Sequence, residues 1–207
     1  WGMRDDGNRV MGSANPLGPA GVYLADPAAR DFGGGRLWVY GSLDEACGRF
    51  CSTRCGALST EDLVDWTWHG AVMDSVETHA ATGGERPLLY APDVVCREGR
   101  YAFYYCLPGG GEGVAFADRP EGPFCGGKRI DTLGHEEIDP GVFIDDDGTV
   151  YYYWGQFRLK MARMGSDLST LEGNSLQEAV LTEGEHAFHE GAFLVKRGGT
   201  YTFVYTG

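Results

Sequence analysis

The sequence predicts an all-β chain built as a β-propeller, and three observations carry that expectation. The 207 residues include 33 glycines and 13% aromatic side chains, with few long helix-forming runs; such a composition suits many short strands joined by tight turns. A turn glycine followed by an aromatic strand recurs as GRLWVY from Gly35, GRYAFYY from Gly99, GTVYYY from Gly148 and GTYTFVY from Gly199. The recurrences lie about 50 to 65 residues apart, near the period of a four-stranded propeller blade. A β-sandwich would supply short strands without this long-interval repeat. At this period the chain holds about three and a half blades.

Taken in order, residues 1–14 are polar and glycine-rich and read as a lead-in segment, with the propeller over 15–207. After Asp26-Pro27 come a strand at 35–40 and a strand–turn–strand over 57–70. Residues 78–88 read as a loop. A hairpin follows over 90–106, turning at Glu98-Gly99, and then a strand at 113–117. Residues 138–155 (IDPGVFIDDDGTVYYYWG) form the clearest unit. Val142–Ile144 is a short buried strand, the Asp145–Gly148 run is a turn whose carboxylates bond their own backbone, and Val150–Trp154 returns. A strand over 159–164 follows, residues 168–179 are the best helix candidate despite Gly173 and Asn174, and a last hairpin spans 189–205.

The net charge of −13 disfavours nucleic acid or an anionic membrane as partner, since phosphate binding needs a basic surface. A neutral, hydroxyl-rich ligand meets no such objection. No apolar run approaches the roughly 18 residues of a membrane span, and the opening residues show no charged-then-apolar leader pattern. Localisation is not read from the chain. Cys47, Cys51 and Cys55 lack the fourth ligand and the paired spacing of a zinc site. Folding about Glu98-Gly99 sets Cys96 opposite Tyr101 rather than Cys106, so the cysteines are expected to be reduced thiols.

Three carboxylates open hairpins in successive repeats: Asp26 in ADP, Asp139 in IDP and Glu190 in HEG. A single Asp-Pro pair commonly does no more than start a turn. The prolines at 27 and 140 are expected to hold the aspartates extended. Inner strands of a propeller line its central channel, so three acids at matching places would converge on one mouth. Glycosidic cleavage needs a carboxylic acid to protonate the leaving oxygen and a carboxylate to activate water or attack. A third acid can position the donor and raise its pKa by like-charge repulsion.

In this ordered series the chain resembles glycoside hydrolase family 43. The likeness runs through ADP, GRLWVYGSLD, STEDLVDWTWHG, YAPDVVCREGRYAFYY, GVAFADRPEGPF, IDPGVFIDDDGTVYYYWG and FHEGAFLVKRGGTYTFVYTG. The resemblance implies a five-bladed propeller, here without the end of blade four and blade five, acting on arabinose- or xylose-containing glycosidic bonds by inverting single displacement. It implies Asp26 as general base, Asp139 as pKa modulator and orienter, and Glu190 as general acid. It places Leu43 and Asp44, in SLD where the family often has Ser-His-Asp, and Tyr90, in YAPD where it often has Trp, near the sugar. It implies no required cofactor or metal ligand in this chain, while allowing a structural calcium ion in the central channel. The open end of such an arc invites self-association. Two rival readings are a retaining fructan- or sucrose-cleaving propeller, against which Ile138 stands where those have arginine, and a carbohydrate-binding propeller or inactive fragment without catalysis.

Overall fold

A computed structural model of the chain describes residues 9–11, 17–45, 48–78 and 86–207. Its strands fall into antiparallel sheets arranged as successive propeller blades. Blade one contains β2 (Leu24–Asp31), β3 (Leu37–Leu43), β4 (Arg54–Thr60) and β5 (Asp65–Asp74), in that order from the inside. Blade two runs β6 (Tyr90–Arg97), β7 (Arg100–Cys106), β8 (Glu112–Ala117), β9 (Cys125–Ile130). Blade three runs β10 (Gly141–Ile144), β11 (Val150–Trp154), β12 (Arg158–Met164), β13 (Gln177–Thr182). The hairpin of β14 (Glu190–Arg197) and β15 (Thr200–Thr206) begins a fourth. The expected three and a half blades are therefore present.

The glycine-then-aromatic strands explain how the blades stack. In β7, Phe103 and Tyr105 pack toward Trp38 and Tyr40 of blade one. Their neighbours Ala102 and Tyr104 pack toward Tyr152 and Trp154 of β11. In β11, Tyr153 turns the other way, to Leu194 and Phe203 of the fourth hairpin. Alternation with period two thus gives each such strand two buried faces, and each blade interface an aromatic core. Tyr152 and Trp154 are fully buried, and Tyr153 meets Phe203 edge-on at 5.5 Å. The last hairpin is different: Val195 and Val204, on the face away from blade three, are 38% and 58% exposed.

Two expectations need correction. Residues 168–179 do not form a helix. Leu168 takes positive φ, Asp167 accepts bonds from the backbone of Ser169 and Thr170, and only Gly173–Ser175 makes a 3-10 turn. Leu168 and Leu171 plug the core between blades two and three, and Gln177–Thr182 becomes the outer strand β13. Burial of two leucines and ladder bonding outweigh a weak helix propensity interrupted by glycine. Part of the expected lead-in is also structured: Arg9–Met11 forms β1, which pairs with β5 and adds a fifth strand to blade one. The remainder of residues 1–14 lies outside the described residues, as does most of the loop expected over 78–88, where Ser75–Thr78 ends in one helical turn (α1).

Cys96 pairs with Tyr101 across the β6–β7 ladder, as the turn position predicts. Cys51, Cys55, Cys96, Cys106 and Cys125 are free thiols, and Cys47 is outside the described residues. Among the described residues no helix is long and apolar enough to cross a membrane.

Candidate active site

The inner strands open with a shared irregularity. Pairing slips between Ala25 and Ala28 in β2, between Tyr90 and Asp93 in β6, and between Glu190 and Phe193 in β14. Inside these bulges Asp26, Ala91 and Gly191 have φ of 48°, 41° and 64°, and Asp139, just ahead of β10, has 61°. The extended geometry expected before Pro27 and Pro140 is therefore overturned: both aspartates are left-handed. A bulged residue leaves the ladder and bends the strand, re-aiming its side chain. For a non-glycine residue this conformation costs of order 1–3 kcal/mol and persists only where surrounding structure over-determines it. Asp tolerates it better than most residues.

Register also corrects the matching of the three acids. Asp26 and Asp139 occupy the same place in their blades. Glu190 instead aligns with Ala25 and Tyr90, each the first residue of its slip, and Gly191 takes the left-handed place. The fourth blade thus delivers its acid one residue earlier, and from the glutamate's longer stem.

These acids nevertheless meet. Asp26, Asp139 and Glu190 line a hollow of about 430 Å³ together with Ala91, Asp93 and Phe193. They also line a wider one of about 650 Å³ with Asp44, Tyr90 and Ile138. The Gly191 N–H donates to Asp139 Oδ2 at 3.1 Å, so the third blade's acid holds the backbone next to Glu190. The Gln156 side-chain amide donates to Glu190 Oε2 at 2.6 Å. Burial, then the charges of Glu190 and Asp26, push the Asp139 carboxyl up to about 6. Burial also pushes Asp26 above the usual carboxylate range, against a hydrogen bond from Ser42. Two acids with raised affinity for protons and a third beside them, in one concave site, are what general acid–base chemistry requires.

The expected sugar contacts divide. Tyr90 is half-buried on the wider hollow, and Asp44 lines it too while its Oδ1 accepts the Cys51 N–H at 2.6 Å. Leu43 lies elsewhere. It is buried and faces a depression on blade one beside Tyr23, Phe50 and Trp68, which adjoins the wider hollow through Asp44 and Phe50. At the end of β3 it follows Ser42, whose side chain approaches Asp26, and alternation sends the next residue to the other face. His189 packs its ring on Phe157 at 4.5 Å rather than joining the acids.

Sequence reasoning missed two features. Asp93, the last residue of YAPD, is buried and forms a forked ion pair with Arg30, with Nε–Oδ1 at 2.7 Å. Its oxygens also accept the Val94 and Val142 N–H groups, each at 2.8 Å. Arg30 in turn donates to the Val142 carbonyl and lies 4.3 Å over the Phe193 ring. One pair thereby ties together the inner strands of all four sheets. The other omission is Gln156, in the turn between β11 and β12, 34 positions from the acid it contacts. No local pattern in the sequence signals either pairing.

No calcium site is identified. Among the described residues no group of three or more His, Cys, Asp or Glu side chains is arranged to hold a metal ion. Glu112 is a buried carboxylate whose Oε1 has no partner among the described residues and whose Oε2 accepts the Tyr152 hydroxyl. Burial pushes its pKa well above the usual range.

Comparison with known proteins places this geometry. The sequence profile of Glycosyl hydrolases family 43 matches residues 15–206. A xylosidase/arabinosidase of Bacteroides ovatus is 30% identical over 176 residues, covering 80% of this chain and 52% of that protein. A β-xylosidase/α-arabinofuranosidase from a compost microbial metagenome, solved with xylotriose in a calcium-free form, superposes with a TM-score of 0.78. It is 25% identical, over 96% of this chain and 74% of that one. An α-L-arabinofuranosidase of Clostridium thermocellum gives a TM-score of 0.69 at 30% identity, over 87% and 62%. The chain spans about half the length of the curated relatives it matches.

Proposed function

Because this chain belongs to the glycosyl hydrolases of family 43, we propose that it hydrolyses arabinose- or xylose-containing glycosidic bonds by inverting single displacement. The observation that supports this most is the convergence of Asp26, Asp139 and Glu190, from three blades, on one hollow. In this reading Asp26 takes a proton from water as its oxygen bonds to the anomeric carbon. Glu190 gives its proton to the departing oxygen on the opposite face as the glycosidic C–O bond breaks. Asp139 holds the Gly191 backbone and orients Glu190. Tyr90 and Asp44 supply an apolar platform and a polar edge for the sugar. Ile138, directly before Asp139, gives no cation there of the kind expected in the retaining fructan- and sucrose-cleaving class.

The neutral substrate class fits the acidic chain, and the names borne by its relatives, xylosidase and arabinosidase among them, fit the pentose assignment. The test is hydrolysis of nitrophenyl arabinofuranosides and xylosides by the wild type, Asp26→Asn and Glu190→Gln. Asp26→Asn should abolish turnover of every substrate. Glu190→Gln should spare substrates with acidic leaving groups relative to natural linkages, which need more protonation. Binding without turnover by the wild type would favour a carbohydrate-binding role. Self-association through the β14–β15 face, where Val195 and Val204 are exposed, belongs to the same proposal, as does the division into a lead-in over 1–14 and a partial propeller over 15–207. Sedimentation measures the association, and a monomer at all concentrations would remove it.

A further inference from the structure

Glu190 is held from outside its own blade by a chain of contacts that begins at a buried lysine. Lys160, on β12, is 4% exposed and forms an ion pair with Glu137 Oε1. The other oxygen of Glu137, Oε2, accepts the Gln156 backbone N–H at 2.8 Å. The Gln156 side chain then reaches Glu190 Oε2 at 2.6 Å. Gly155 makes this turn feasible: with φ at 126°, a Cβ there would stand 2.4 Å from the Arg158 carbonyl and 2.7 Å from Glu137 Oε2. The next residue clamps the same strand, since the Phe157 N–H donates to the His189 carbonyl at 2.6 Å. A buried lysine with one carboxylate partner is costly to maintain for stability alone, and here its partner's second oxygen is spent on the turn that carries Gln156.

We propose that Gln156 is a positioning residue for Glu190: its amide occupies Oε2 and leaves Oε1 to carry and deliver the proton, while the Glu137–Lys160 pair fixes Gln156. An oxygen that accepts an N–H bond acts as the carbonyl of the protonated acid, so the acidic hydrogen resides on the other. Among the described residues Oε1 has no hydrogen-bond partner, which leaves it available to a leaving oxygen. Asp139 restrains the backbone of the following residue and Gln156 the carboxyl itself, so the acid is fixed at both ends. The inference rests on the general-acid role proposed for Glu190.

The first test compares Gln156→Leu with the wild type on a nitrophenyl glycoside and on an unactivated oligosaccharide. A well-placed general acid contributes about 10²- to 10⁴-fold, so its misplacement should lower kcat on the oligosaccharide about 10- to 100-fold. The loss on the activated substrate should be several-fold smaller, with KM changing less than about threefold. Lys160→Met should act in the same direction, more weakly. Gln156→Met keeps the length of the side chain without an N–H donor, and should reproduce the pattern if the leucine variant fails to fold. Equal losses on both substrates would overturn the proposal, because a merely structural role would not discriminate leaving groups. The second test needs no turnover. In ¹H–¹⁵N spectra of the chain, Glu190→Ala should move the Gln156 side-chain amide signals, and Glu137→Gln should move its backbone signal. Unmoved side-chain signals would overturn the contact. Shifted signals in a chain inert on every glycoside would instead uphold the contact and sink the hydrolase reading.

Discussion

Blades two and three start their inner strands in the same way and put different side chains there. Ala91 before Pro92 and Asp139 before Pro140 are both left-handed, at φ of 41° and 61°, and both line the hollow where the acids meet. In blade three that place carries a carboxylate which, through burial and its neighbours' charges, is raised to about 6 and bonds the backbone beside Glu190. In blade two it carries a methyl group. The blade's carboxylate comes two residues later, as Asp93, where it is paired with Arg30 and satisfied by backbone N–H groups. The propeller thus offers each blade a bent slot at the mouth and a straight position behind it. The acids in the slot, Asp26 and Asp139, have their pKa values raised by burial, whereas Asp93 behind it is paired with Arg30.

The largest expected effect comes from making blade three resemble blade two. Asp139→Ala should lower kcat by roughly 10²-fold or more, within the range of acid–base contributions, with little change in thermal unfolding. A comparable loss of folding would contradict the division of roles. Next in size, Asp93→Ala should cost about 3–5 kcal/mol of stability, the usual consequence of stranding a buried charge, read by denaturant unfolding. A near-neutral Asp93→Ala would show that Arg30 finds another partner and that the strand-tying role is wrong.

A smaller effect appears in pH dependence. Asp139 has a folded-state pKa of about 6 against an ordinary value of 3.8, so the folded chain binds this proton more tightly than the unfolded chain. The resulting stabilisation is complete below about pH 4 and is lost as pH rises through about 6. The melting temperature should therefore fall across that window in the wild type and fall less in Asp139→Asn. Asp145 and Asp167, held near 2, stay ionised throughout the window and do not mimic the effect. Smallest of all, Ala91→Gly relieves a left-handed alanine at the cost of a freer unfolded chain, and should change stability by about 1 kcal/mol or less. A loss above that would mean the Ala91 methyl packs against the mouth.

Much of this was legible in the sequence because it is encoded locally. A turn glycine and the aromatic strand after it occupy consecutive positions, so the blade period, the hairpins and the three acids could be read along the chain. What could not be read depends on contacts between distant positions or on tertiary override of a local rule. Proline ordinarily holds the residue before it extended, yet Asp26 and Ala91, in bulges at the start of β2 and β6, and Asp139, just ahead of β10, all turn left-handed. The one-residue offset of Glu190 is a matter of register, set by pairing with Thr206. Arg30 finds Asp93 at a separation of 63 positions. Leu43, placed near the sugar by its neighbours in SLD, is turned by strand alternation toward the adjoining depression beside Tyr23 and Trp68.

The stereochemistry of the first-formed product bears most directly on the roles of the three acids. Proton NMR of an early time course on a β-xyloside or an α-arabinofuranoside, before mutarotation, reports the anomer released. With Asp26 activating water opposite the proton supplied by Glu190, the sugar should appear in inverted configuration, and Asp26→Asn should release none. A product of retained configuration would require one of these carboxylates to bond the sugar itself, and would contradict the roles assigned to all three.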